Sequence, residues 1–308
     1  MNDGKSRLQR VLESGAFAVT AECGPPRGTN PEIIRQKGAL LKGFVDAVNV
    51  TDNQSAVVRM CSLAACKHLL DAGLEPVMQM VTRDRNRLAL QADVLGAYSL
   101  GIRNLLCLSG DHQSLGSQPQ AMNVFDIDSV NLLDTARMMR DEGKDLSGFA
   151  LENPPRMFIG AAENPFADPL SYRVIRLAKK IEAGARFIQT QCVYNMPRFK
   201  EWLRIAREEG LTQKVYILAG VTPLKSARMA RFMAEKVAGM DIPEAIINRL
   251  AGAPKEKAAA EGTRVALETI AELRETPGVS GVHIMAIEAE ASVGPLVAAA
   301  GLLPRPEV

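Results

Sequence analysis

Polar residues that could hold a small molecule recur in this sequence where short apolar, β-rich runs end. Glu22 closes the first run and Thr51 follows the second. Gln79 lies near the end of the third, and Ser109, Gly110 and Asp111 follow the fourth. Asn164 follows the fifth, Gln191 closes the sixth and Thr222 follows the seventh. Amides and hydroxyls both donate and accept hydrogen bonds, while carboxylates accept them or move protons. Brought to one place, such a set would bind a polar ring system. The tract Arg83-Asp84-Arg85-Asn86-Arg87 follows the third run. Its planar guanidinium forks suit phosphate oxygens, although a solvated loop opening the next helix accounts for the tract equally well.

The sequence argues against several chemistries. The sequence contains no H-E-x-x-H, G-x-S-x-G or G-x-x-x-x-G-K, and no G-x-G-x-x-G after a strand. His68, His112 and His283 are dispersed, so no metal site is expected. His68 and His283 fall within helix and strand patterns and read as structural, whereas His112 lies on a loop. A Schiff-base lyase would need its amine at a strand end, but Lys179 and Lys180 fall in a helical pattern. The five cysteines fit no disulfide framework or zinc ribbon and read as buried free thiols. A net charge of +2 over 308 residues argues against a dedicated nucleic-acid or membrane-surface binder. Residues 1–15 lack the apolar stretch of a secretory signal, and the run 296–303 is too short to span a bilayer. A cytoplasmic protein without membrane insertion is therefore expected.

The elements that must position these residues alternate regularly. Strands are expected at 17–22, 46–50, 75–81, 104–108, 157–161, 187–191, 215–219 and 281–285. Helices are expected at 31–41, 56–72, 88–100, 129–142, 169–183, 196–209 and 293–302, with several more between 225 and 274. A polar stretch, 109–126, reads as a long functional loop. Eight β-then-α units predict an α/β fold: a (β/α)8 TIM barrel, with extra helices between strands seven and eight, forming one catalytic domain over 1–308. In that architecture the strand ends named above share one face.

The motifs at those strand ends resemble the methylenetetrahydrofolate reductases. Thr20-Ala21-Glu22-Cys23-Gly24-Pro25-Pro26-Arg27 is similar to the family's first strand, where an acidic residue precedes a Pro-Pro pair. Asn49-Val50-Thr51-Asp52-Asn53 resembles the strand-two end where a threonine meets the flavin. Leu106-Cys107-Leu108-Ser109-Gly110-Asp111 resembles the glycine-aspartate turn beside the flavin ring. Ile188-Gln189-Thr190-Gln191 resembles the threonine-glutamine that holds the folate, and Ala219-Gly220-Val221-Thr222-Pro223 a turn after strand seven. The resemblance spans almost the whole chain and is nearest to the short bacterial members.

The resemblance implies reduction of 5,10-methylenetetrahydrofolate to 5-methyltetrahydrofolate by a reduced flavin, FAD before FMN. It implies Glu22 as general acid and Asp111 as a second catalytic group that also binds the pterin with Gln191. Thr51, Gln79, Ser109, Gly110, Asn164 and Lys180 become candidate flavin contacts, and Arg83, first of the basic tract, joins them. Better-known members carry an arginine where Ser109 stands, a histidine near Gln79, and a tyrosine and histidine where Asn164 and Asp168 fall. They also carry an aromatic residue where this chain has Ala227. Without that ring, delivery of electrons by a partner subunit is an open route beside NADH, NADPH or ferredoxin. An oligomer is expected. The competing readings are a silent flavin- or folate-binding scaffold subunit and a barrel lyase.

Overall fold

The structure, a computed structural model, describes residues 4–308. Eight parallel strands close into a barrel in sequence order: β1 (Ala18–Cys23), β2 (Ala47–Val50), β3 (Pro76–Val81), β4 (Asn104–Leu108), β5 (Phe158–Glu163), β6 (Phe187–Cys192), β7 (Tyr216–Val221) and β8 (Gly281–Ile284). β8 pairs with β1, Ala18 opposite Gly281. Helices α2 (Pro31–Leu41), α3 (Ser62–Asp71), α4 (Arg87–Ser99), α5 (Ser129–Asp141), α6 (Leu170–Glu182) and α7 (Met196–Glu208) each follow a strand. Between β7 and β8 come α8 (Ala227–Lys236), α9 (Glu244–Gly252) and α10 (Ala258–Arg274), and α11 (Val293–Ala299) follows β8. This is the expected (β/α)8 barrel with its extra helices. Among the described residues no helix is long and apolar enough to cross a membrane.

Local chemistry sets the helix starts. The Asn30 side chain accepts a hydrogen bond from the Glu32 N–H at 3.0 Å, with Pro31 at the first helical position of α2. Asp128 caps α5 by accepting from the N–H groups of Val130 and Asn131.

Three features depart from the sequence expectation. Helix α1 (Arg7–Glu13) was not expected, because its charged residues mask the short apolar set Leu8, Val11 and Leu12. The segment before α3 holds only a short, distorted 3-10 turn at Gln54–Ala56: Asn53, Ser55 and Ala56 adopt left-handed φ values of 43°, 54° and 55°, so the α-helix begins only at Ser62. β5 and β7 each run two residues further than expected, which places Glu163 inside a strand.

Strand alternation divides the buried residues into two layers. One set, including Val19, Val48, Met80, Ile159 and Ile188, packs outward against the helices. The other faces the barrel axis. Near its base this second set is apolar: Ala18, Ala47, Val77, Leu106, Phe158, Phe187 and Leu218. Leu8, Val11 and Leu12 of α1 join it and plug the barrel from below. The Phe158 and Phe187 rings stack with centroids 5.1 Å apart. A Cβ on Gly160 would lie 2.4 Å from the Phe187 ring, so only glycine fits there. One step up the same strands the lining turns polar, with Thr20, Asn49, Gln79, Gln189 and His283.

The underside is held by a charged clamp. Buried Asp46 accepts from Arg305 at 2.5 Å, from Arg7 at 3.3 Å and from the Val19 N–H at 2.8 Å. Glu75 accepts from the Arg7 and Leu8 N–H groups, satisfying the first turn of α1. Both ends of the described chain are thus tied to the bottom of the barrel.

Candidate active site

The carboxyl ends of the strands enclose a cavity with two lobes of about 400 and 300 Å³. That size suits a small ligand or cofactor. Glu22, Gln79 and Leu108 border both lobes. Asn164, Lys180 and Gln191 line the larger lobe; Thr51, Arg83, Ser109, Gly110 and Asp111 line the smaller. The polar residues named at the strand ends, with Arg83 and Lys180, therefore meet at this mouth, except Thr222. That hydroxyl is buried 3.0 Å from the Cys192 thiol instead. His112 stays exposed and bonds locally to Ser114. Four of the cysteines are buried as expected, but Cys61 is exposed, because the helix it was assigned to starts one residue later.

Glu22 projects inward from β1, two residues above Thr20 on the same face. Burial pushes its carboxyl up to about 7; Gln54, donating at 3.2 Å, opposes the rise, and the Glu290 carboxylate adds to it. Glu290 itself is anchored by Lys37 at 2.9 Å. Glu22 keeps some contact with solvent, so its proton can be exchanged from the mouth.

Beneath it lies the polar layer that the sequence reading passed over. Asn49 and Gln189 exchange two amide hydrogen bonds, at 2.6 and 2.9 Å. Gln189 also donates to the Thr20 hydroxyl, which lies 2.9 Å from His283 Nδ1. Burial pushes the His283 imidazole down to about 3, so the ring is neutral at physiological pH. The strand alternation could have revealed this layer, since Thr20, Asn49, Gln189 and His283 all fall on inward positions.

Several expected ligand contacts already carry internal bonds. Gln191 Oε1 accepts from the Cys192 N–H at 3.0 Å, and its Nε2 donates to the Ala238 carbonyl at 3.3 Å. A register shift between Gln189 and Cys192 aims Gln191 at the mouth. Gly220 permits it, since a Cβ there would lie 2.5 Å from the Thr190 carbonyl oxygen. Asn164 Oδ1 accepts from the Phe166 N–H, and its amide nitrogen abuts Gly239 in the loop after α8. Ser109 Oγ accepts from the Ser129 N–H. Asp111 is exposed at the rim. Thr51 differs: its Oγ1 is buried and has no hydrogen-bond partner among the described residues.

The basic tract is built into the rim. Arg83 is buried and donates two bonds to Asp84 at 2.7 Å, one to the Asp111 carbonyl and one to the Asn53 carbonyl. It thereby staples the loops after β2, β3 and β4. Arg85 pairs with Asp52 and Asp93, and Arg87 with Asp126. A further contact joins these loops: Ser117 N–H donates to the Ala56 carbonyl, and a Cβ on Gly116 would lie 1.9 Å from that oxygen.

Lys180 reaches the larger lobe although it lies on a helix. Its Nζ donates to Glu163 Oε2 and to the Ala162 carbonyl, both at 2.6 Å. Glu163, Arg173 and Arg176 line the same lobe and were not singled out from the sequence. Glu163 lay beyond the expected strand end. The arginines were legible only as a helix face shared with Lys180. Among the described residues no three of His, Cys, Asp and Glu converge as a metal site would require.

A family model described as "Methylenetetrahydrofolate reductase" matches residues 7–301. A Caenorhabditis elegans protein described as "Probable methylenetetrahydrofolate reductase (NADPH)" is 25% identical over 313 residues, covering 96% of this chain and 44% of the relative. The Schizosaccharomyces pombe "Methylenetetrahydrofolate reductase 2" is 25% identical over 214 residues, covering 67% of this chain and 33% of the relative. The chain thus spans less than half the length of these relatives. Among solved structures, an uncharacterized Clostridium thermocellum protein that binds two copies of 5-methyl-5,6,7,8-tetrahydrofolic acid shares the fold. Its TM-score is 0.64 at 15% identity, covering 97% of this chain and 99% of that one.

Proposed function

The chain belongs to the methylenetetrahydrofolate reductase family, and from that premise we propose a flavin-dependent reductase that converts 5,10-methylenetetrahydrofolate to 5-methyltetrahydrofolate. The observation that carries the proposal is the position of Glu22: it borders both lobes, and its carboxyl is held near 7. A carboxylic acid that still carries its proton near neutrality, between two ligand spaces, is suited to general acid catalysis.

The smaller lobe fits a flavin ring. Thr51 offers an unpartnered buried hydroxyl, and Gly110, at φ +87°, brings the backbone close where a Cβ would lie 3.0 Å from Val81. Thr51, Gln79, Ser109 and Gly110 are the residues that would hold the ring, Asn164 would meet the cofactor from the larger lobe, and Arg83 fixes the loops that carry Thr51, Ser109 and Gly110. Held by these residues, a reduced flavin would supply hydride-transfer chemistry.

The chain's own residues manage the proton and the charge. The bridged folate accepts hydride only once its five-membered ring has opened to an iminium cation, which requires a proton on the departing nitrogen. Glu22 delivers that proton. Asp111 at the rim accepts hydrogen bonds from the pterin edge, and its negative charge stabilises the cation. Gln191 adds an amide to the pterin from the larger lobe once its long bond to the Ala238 carbonyl gives way.

The test combines a spectrum with one variant. The purified protein is expected to release a flavin identifiable by mass. Glu22→Gln is expected to keep that flavin but lose methylenetetrahydrofolate reduction by about 10²–10⁴-fold, the usual worth of a general acid. A variant that reduces the folate at the wild-type rate would remove Glu22 from the mechanism.

A further inference from the structure

We propose that Arg173 and Arg176, rather than Lys180, form the anion clamp of the larger lobe, and that they select a flavin carrying phosphate over one lacking it. The proposal rests on the flavin reading given above. Arg173, Arg176 and Lys180 follow one another on α6 at spacings of three and four, which puts them on one helix face, and all three line the cavity. Only Lys180 is compensated, by Glu163. Among the described residues neither arginine has an ion pair or a side-chain hydrogen bond, and Arg173 Nε is buried with no partner. The Arg173 guanidinium instead lies 5.3 Å from the centroid of the Tyr172 ring. Both arginines sit close enough to Lys180 to help burial lower its pKa.

Three cations facing the single carboxylate Glu163 leave two positive charges on this wall, while Glu22 across the lobe is mostly protonated below about 7. Two half-buried guanidinium forks, three residues apart, repel each other unless an anion joins them. A phosphate monoester or pyrophosphate presents several acceptor oxygens to both forks at once; a neutral ribityl chain does not. The other arginine at the mouth, Arg83, is already committed to four bonds.

The experiment titrates the purified protein, freed of bound flavin, with FMN, FAD and riboflavin and follows flavin fluorescence. Wild type is expected to bind FMN and FAD about 10–100-fold more tightly than riboflavin, as two charge-assisted contacts would give. Added salt or inorganic pyrophosphate is expected to weaken FMN binding and leave riboflavin binding unchanged. This comparison needs no variant, and equal sensitivity of the two flavins would overturn the clamp. In Arg173→Met/Arg176→Met the preference is expected to collapse below about threefold with riboflavin affinity retained, while Lys180→Met keeps it. If the double variant keeps the wild-type preference, or Lys180→Met abolishes it, the clamp is wrong and the flavin reading survives. If wild type binds none of the three flavins, the flavin reading fails and the clamp with it.

Discussion

Glu22 ties the proposed chemistry to the stability of the fold. Its carboxyl lies at about 7 in the folded protein, against an ordinary value of 4.5, so the folded state holds the proton more tightly than the unfolded chain. Between those two pH values stability falls as pH rises, and above about 7 the full cost of the buried charge is felt. Glu22→Gln is therefore expected to match wild type near pH 4 and to exceed it by about 1–3 kcal/mol at pH 8, read by urea unfolding. The upper figure is reduced because the carboxyl keeps some contact with water. The same shift predicts that folate reduction declines above about pH 7, when the acid is lost; a rate flat to pH 9 would contradict the assignment. Above about pH 7 the fold would be more stable without this carboxyl, as is expected of a group that serves reactivity rather than stability.

At the scale of elements, the mouth depends on two loops that lean on each other. The β2–α3 loop carries the left-handed residues Asn53, Ser55 and Ala56, and the β4–α5 loop touches it where Gly116 meets the Ala56 carbonyl. Gly116→Ala is expected to push the loops apart, weakening flavin binding at least about tenfold, because misplaced binding groups lose most of their contribution. The melting temperature is expected to move little, since the contact lies outside the barrel core; a large drop would show that the loops hold the fold. The strand order and the strand-end residues of the mouth were legible in the sequence, because seven of the eight strands ended in or were followed by a polar residue and the barrel gathers strand ends. What escaped were features set by tertiary contact. Glu163 looked like a loop residue because its strand ran two residues longer than apolar periodicity shows. Residues 56–61 looked helical because left-handed turns leave no trace in apolar spacing. Arg83 looked free for phosphate because its partners, Asp111 and Asn53, lie on other loops.

Across the whole molecule, the clamped base and the proposed site occupy opposite ends of the barrel. The base is closed by α1 and by the clamp of Asp46 with Arg7 and Arg305. Leu8 is fully buried inside the barrel wall. Leu8→Ala is expected to cost about 2–5 kcal/mol in urea unfolding, as for other large core truncations, while leaving flavin affinity within about twofold. An equal loss of flavin affinity would mean that the plug shapes the mouth as well. The base was the part least visible in the sequence, because α1 is short and highly charged and its value comes only from the hollow it fills.

That stopper turns the barrel into a cup with a single lip, and a cup dictates the order in which its contents come and go. Whatever settles deepest must enter ahead of its companion and wait for it to depart. If a flavin lies deeper and folate above it, saturating folate should slow the washing-out of flavin during dialysis; faster loss would mean that the two travel by separate doors.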